Sequence, residues 1–235
     1  CNANDGGWSA FVPVQSLVDA YETSSGLTIE EAEKTGEYNP VHPYKNRDPR
    51  FYATILYSGA DWVNSNGVYR IYNTLDRTID GKPNKDNAND SRNASQSGYT
   101  CCKYMSPLTQ YSDITNTGLD FIVFRYAEVL LSKAEALIEL NRDLDEATNL
   151  IDQIRLRAGM PLVDRIKYST QASLRELLRR ERRVEFAFEG LRRSDIVRWG
   201  IAKEVLNGPV YATNYGTVIM DTNIPQEERA VIQTG

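Results

Sequence analysis

From Phe124 onward the apolar positions fall at helical spacing, and before about residue 120 they do not. Ala127, Leu130, Leu131, Ala134, Leu137 and Ile138 recur at i, i+3, i+4 and i+7, which predicts an amphipathic helix ending near Asn141. A very short turn follows. Asp143 and Glu146 have capping-box spacing and open a second helix with Ala147, Leu150, Ile151 and Ile154 inward, closed by Gly159 and Pro161. So short a connection makes the two helices antiparallel neighbours. Ser173 and Glu176 are expected to cap a third, long helix through Leu177, Leu178, Val184 and Phe188, ending at Gly190. A fourth helix is read from about Arg193 to Leu206, stopped by Pro209, and an irregular tail completes the chain.

The first part mixes aromatic residues with turn formers. Val14 to Thr23 reads as a helix with Leu17, Val18 and Tyr21 on one face, and Thr28 to Lys34 as a short capped helix ending near Gly36. Arg50 to Tyr57 is β-branched and aromatic enough for a strand, and Val68 to Tyr72 reads as a weaker one. Residues 80–98 carry almost no apolar side chains and are expected to form a mobile surface loop. The predicted organisation is thus a single domain over residues 1–235. Residues 1–120 form an aromatic-rich, loop-rich part expected to be what the scaffold presents, 121–208 form the helical part and 209–235 an irregular tail. The fold class is mainly α: antiparallel helical hairpins of tetratricopeptide-like scaffold type, with long irregular loops and a few short β-strands.

Composition narrows the chemistry. The 235 residues carry 27 Lys and Arg against 32 Asp and Glu, a formal −5 that argues against a nucleic-acid binder. No apolar run approaches the roughly 18–20 residues needed to span a bilayer. With one histidine, His42, a multi-histidine metal site cannot form within the chain. Cys101 and Cys102 are adjacent, a geometry that disfavours a bridge between them. All three cysteines are expected to be thiols, Cys1 pairing with one of them being the alternative.

Several motifs invite sharper readings. Between Arg175 and Arg198 stand eight arginines and five acids, interleaved at i+3 and i+4, which favours ion pairing over a phosphate-binding face. The expected pairs join Arg182 and Arg183 to Glu181 and Glu185. Glu181 and Glu185 lie one turn apart, like two catalytic carboxyls, but arginines within a turn would hold both ionised, whereas a general acid needs a raised pKa. Asn84 to Asp90 alternates oxygen ligands faintly in the manner of a calcium loop, yet lacks the turn glycine and distal glutamate. Asn89 and Asn93 begin glycosylation sequons, relevant only in a eukaryotic secretory setting. The site expectation falls on the aromatics. Trp62, Tyr69 and Tyr72, with Trp8 as a fourth, lie beside amides in the irregular part, where rings pack on sugar C–H faces and polar neighbours bond hydroxyls.

The order of segments resembles a known family. PVQSLVDAYE (13–22), NRDPRFYATILYSGADW (46–62), SGYTCCKYMSP (97–107), FRYAEVLLSKAEALIELN (124–141), IRLRAGMP (154–161) and ERRVEFAFEGLRRSDIVRW (181–199) together resemble the C-terminal half of SusD/RagB-type nutrient-binding proteins. The resemblance implies a non-catalytic, glycan-binding lipoprotein on the outer membrane, exposed at the cell surface. It also implies a lid on a SusC-type TonB-dependent transporter, to which oligosaccharide or polysaccharide ligands are delivered. No cofactor, metal or nucleic acid is implied. A scaffold that only caps the transporter, and a peptide-binding member of the family, are the alternative readings. Cys1 stands at a mid-chain family position, so the lipid-bearing cysteine is expected outside this sequence. The motifs are scaffold motifs, and the ligand residues are expected on variable loops.

Overall fold

A computed structural model describes residues 3, 6–63, 68–89, 92–104, 120 and 122–234. It is mostly helical, with a few short strands. Helices α4 (Tyr126–Glu139) and α5 (Leu144–Arg157) form the expected antiparallel hairpin, and α6 (Gln171–Glu185) packs on both. Leu131, Ile138, Ile151 and Leu178 meet in its centre with essentially no solvent exposure. The α4–α5 turn is so tight that Asn141 and Asp143 both take left-handed backbone, at φ 51° and 46°. A capping side chain acts from extended backbone. Asp143 therefore makes no side-chain cap, and the capping box expected there does not form. The start of α6 also differs. Thr170 and Ser173 cap each other reciprocally, three residues before the expected cap, so that Ser173 belongs to the first turn.

Beyond α6 the chain breaks more often than its apolar pattern predicted. Helix α6 ends at Glu185, and Phe188 and Gly190 turn the chain through left-handed backbone into α7 (Leu191–Arg198). Gly200, at φ 69°, then separates α7 from α8 (Ala202–Leu206), so the single helix read over 193–206 is two.

The first part wraps a second, aromatic core. Tyr21, Tyr44, Phe51, Tyr57, Tyr72 and Tyr99 cluster there, with Phe51 and Tyr57 stacked at 5.2 Å. Val184 of α6 joins this cluster while Leu174, Leu177 and Leu178 serve the helical one, so α6 is a wall common to both cores. Helix α2 (Ile29–Thr35) forms with the expected Thr28–Glu31 capping box, whereas the helix read over 14–23 is cut to the single turn α1 (Gln15–Val18). The segment read as a strand over 50–57 is instead α3 (Pro49–Thr54), followed by the two-residue strand β1 (Ile55–Leu56). Asp48 accepts from the Arg50 amide at 2.9 Å and Pro49 is preset for a first helical turn, and this start signal overrides β propensity.

The strands are short antiparallel pairs: β1 with β6 (Thr100–Cys101), β2 (Asp61–Val63) with β3 (Tyr69–Ile71), and β4 (Thr78–Ile79) with β5 (Lys82–Pro83). Two further expectations are corrected. The described residues of 80–98 are largely tied down. Asn84 donates to the carbonyls of Asn73 and Asp76, both at 2.8 Å, and Asn87 to those of Thr74 and Leu75, so buried amides replace the missing apolar anchors. The tail is not wholly irregular either. Strand β7 (Gly216–Val218) pairs with β8 (Ala230–Ile232), and Ala230 and Ile232 complete the aromatic core. No described helix is long and apolar enough to cross a membrane.

Candidate functional site

The β2–β3 ribbon carries three of the four aromatics singled out in the sequence or adjoins them, and its register decides how they meet. Trp62 lies opposite Arg70, and Val63 opposite Tyr69. Successive side chains in a strand point to opposite faces. Trp62 and Arg70 therefore share one face, while Asp61, Val63 and Tyr69 share the other. Trp62 and Tyr69 are close in the ribbon but do not form one flat platform.

Each face has its own chemistry. Tyr69 is 45% exposed, and its hydroxyl donates to Oδ1 of Asp61. The same oxygen accepts from the guanidinium of Arg229, which also donates to the carbonyls of Gly59 (3.1 Å) and Ile224 (2.9 Å). Burial alone would raise the Asp61 carboxyl, but the bonds from Tyr69 and Arg229 outweigh it and hold the group below the ordinary range. That bond to Asp61, reinforced by partial burial, pushes the Tyr69 hydroxyl upward, so it stays a neutral donor. On the opposite face Trp62 packs part of its ring on the aromatic core. Arg70 donates twice to Oδ2 of buried Asp86, both at 3.0 Å. An exposed phenol held beside a carboxylate and a guanidinium presents a stacking face and hydrogen-bonding groups at one place.

Tyr72 is a correction. It is 1% exposed, its ring belongs to the aromatic core and its hydroxyl shares a 2.8 Å hydrogen bond with Thr100, so no sugar ring can stack on it. Trp8 is 78% exposed, and no ring contact or hydrogen bond among the described residues ties it to the ribbon. Asn64, Asn66 and Gly67, whose amides and turn were part of the expectation, lie outside the described residues. Asp61 and Arg229 escaped sequence reasoning. Alternation around Trp62 offered a clue to Asp61, but nothing local points to Arg229, 168 residues away.

The other candidate chemistries resolve into structure. Glu181 and Glu185 are buried. Their partners are Arg50 and Arg155 for Glu181, and Arg50, Arg125 and Arg157 for Glu185. The ion pairing is as expected, but the pairs differ, because side chains one turn apart on one helix face outward to other elements. Arg182 instead grips Asp195 through two 3.0 Å bonds, and Arg183 donates to the Ser16 hydroxyl. Burial would raise Glu185, yet Arg125 and Arg157 outweigh it and bring its carboxyl down to about 2, the opposite of a general acid. Asp86 of the calcium-like stretch is bound to Arg70, and no metal-holding cluster occurs among the described residues. Cys101 and Cys102 are free thiols, and burial, then the neighbouring Cys101, pushes Cys102 up to about 12. Cys1 lies outside the described residues.

Two packed cores sharing one helical wall, beside short strands that carry an aromatic and charged ribbon, define a mostly helical fold. The chain belongs to the SusD family, whose model matches residues 1–231. A SusD-like protein of Formosa agariphila is 38% identical over 106 residues, covering 43% of this chain and 21% of that relative. A crystal structure of a SusD-like carbohydrate-binding protein from Bacteroides fragilis is 32% identical, with a TM-score of 0.73 over 99% of this chain and 45% of that one. Another SusD-like protein of Bacteroides fragilis is 31% identical, with a TM-score of 0.60 over 84% and 37%. The chain thus spans less than half the length of these relatives.

Proposed function

We propose that the chain is part of a glycan-binding protein of an outer-membrane uptake system, which holds oligosaccharide or polysaccharide without cleaving it and passes it to a SusC-type TonB-dependent transporter. The observation that carries this reading is membership of the SusD family together with likeness, over nearly the whole chain, to a structure described as carbohydrate-binding. Tyr69, with Asp61 and Arg229 beside it, is the favoured contact surface. Trp62 and Trp8 supply further aromatic faces. The absence of turnover is supported by Glu185, which is buried and held ionised by arginines, unlike a general acid. On the same family reading the protein is exposed at the cell surface and held there by a lipid anchor. A glycan array on the full-length protein, followed by co-purification with the transporter, tests both halves. Glycan binding without transporter association would leave only the first.

A further inference from the structure

Four of the eight arginines of α6 and α7 have a carboxylate partner. Arg175 pairs with Glu139, Arg180 with Glu22, Arg182 with Asp195, and Arg198 with Glu135 and Asp195. Three of the others are gathered in one place. Among the described residues, no carboxylate lies within ion-pairing distance of Arg179, Arg183 or Arg192, and these three line one cleft of about 400 Å³ with Ser16, Asp19 and Arg180. Arg179 and Arg183 are one turn apart on α6, and Arg192 enters from α7.

The unmatched groups are short of partners. The Arg179 guanidinium stands 5.0 Å from the centre of the Trp199 ring, and its buried Nε has no hydrogen-bond acceptor. Arg192 also sits over that ring, at 6.0 Å. Arg183 has a single bond, to the Ser16 hydroxyl at 2.9 Å. Burial, and then the charge of Arg192, pulls Arg183 down to about 10. Asp19 offsets part of the charge of Arg183, and Asp195 part of that of Arg192, but neither forms an ion pair with them. The like charges still crowded in this half-buried place cost free energy, which an anion entering the cleft relieves. Guanidinium groups meet carboxylate and sulfate with paired, directional bonds. The Asp19 carboxylate, which accepts from the Gln15 side chain at 2.8 Å, adds an acceptor to the cleft, and Ser16 adds a hydroxyl. A bare anion has no use for an acceptor, but a sugar that carries an acidic group has hydroxyl donors as well.

We propose that this cleft is a subsite for the acidic group of an anionic oligosaccharide, a uronate carboxylate or a sulfate ester, held by Arg183 and Arg192 with Arg179 behind them. The inference rests on the glycan reading above and narrows it to acidic glycans. The cleft shares no lining residue with the β2–β3 ribbon, so the two would engage different parts of one chain of sugars.

The test is titration calorimetry on the full-length protein with three probes: an oligogalacturonide, a sulfated galactan oligosaccharide and a neutral gluco-oligosaccharide. One or both acidic probes should bind more tightly than the neutral one, and added salt should weaken that binding. Arg183→Gln and Arg192→Gln should each cost about tenfold or more in affinity for the acidic probe while the neutral probe is unaffected. Melting curves on both variants separate lost binding from lost folding. Whichever acidic probe responds to the variants identifies the group. Tight binding of the neutral probe alone, or acidic binding unchanged in both variants, overturns this inference and leaves the glycan reading standing. Binding of poly-glutamate in place of any acidic sugar, lost in Arg183→Gln, makes the cleft a polypeptide contact and also overturns it. Failure of all three sugars and of the glycan array defeats the broader reading as well.

Discussion

Arg50 of α3 reaches across to Glu181 of α6, its Nη1 lying 2.5 Å from the carboxylate. The same nitrogen donates to Glu185 at 3.1 Å, while the rest of the guanidinium holds Asp48, the cap of its own helix. One side chain thus joins the aromatic core to the helical wall. Arg125, at the N-terminus of α4, completes the bond by donating to Glu185 and Glu189. The acids of the arginine-rich helix are the seam between the two halves of the molecule.

Removing Glu185 should therefore unseat that seam. Breaking one partner of a buried ion network leaves the others unpaired, at a cost of about 3–5 kcal/mol. Glu185→Ala is expected to lower the melting temperature sharply, while any variant that remains folded binds ligand as before. Unchanged melting with lost binding, measured on the same preparation, contradicts this role.

Acid should act through the same residue. The Glu185 carboxyl lies near 4.5 in an ordinary setting and about 2 in the folded protein. A depressed folded value means its stabilisation is complete above the unfolded value and is lost as pH falls from about 4.5 toward 2. The expected contribution is on the order of 3 kcal/mol. Melting temperature measured from pH 6 to pH 2 should fall through this window, and Glu185→Gln should flatten the fall. A Glu185→Gln profile as steep as the native one counts against the assignment.

The aromatic residues separate by what they touch. Tyr69→Ala should weaken glycan binding by about tenfold or more, as loss of a central aromatic anchor does, with little change in melting. Trp62→Ala should reduce both affinity and stability, since part of the indole packs on the core. Tyr72→Ala should cost about 3–5 kcal/mol of stability, being a cavity in the aromatic core. Affinity that tracks Tyr72 and ignores Tyr69 would move the site elsewhere.

Gly59 couples the ribbon to the tail. It sits at φ +99°, and a Cβ there would lie 3.1 Å from the Ala230 amide nitrogen and the Gln226 carbonyl. Gly59→Ala is expected to lose about 1–3 kcal/mol and to disturb the Arg229–Asp61 contact beside it. A melting temperature within error of the native one contradicts this close packing.

The helical hairpin was legible because Leu130, Leu131, Leu150 and Ile151 repeat at helical spacing over many residues, and family motifs lie on the same helices. The seam was legible only in kind. Interleaved arginines and glutamates announced ion pairs, but partners such as Arg50 and Glu181 stand 131 positions apart and no local pattern joins them. The 50–57 segment misled because a cap at Asp48-Pro49 decides more than β-branched residues do. The ordered part of 80–98 was hidden because its anchors, Asn84 and Asn87, are polar side chains that satisfy backbone carbonyls. At the candidate site, the neighbourhood of aromatics pointed to Tyr69, and the structure leaves that side chain exposed. Tyr72 was misread because nearness in sequence to polar loop residues does not say which aromatics the core takes.

The central claim is glycan retention without turnover. Its most direct test incubates the full-length protein with polysaccharides that bind on the array and follows both bound ligand and newly formed reducing ends. Saturable binding with no increase in reducing ends over the protein-free control is the predicted result. Reducing ends released in proportion to protein, and abolished in Glu181→Gln, would contradict it.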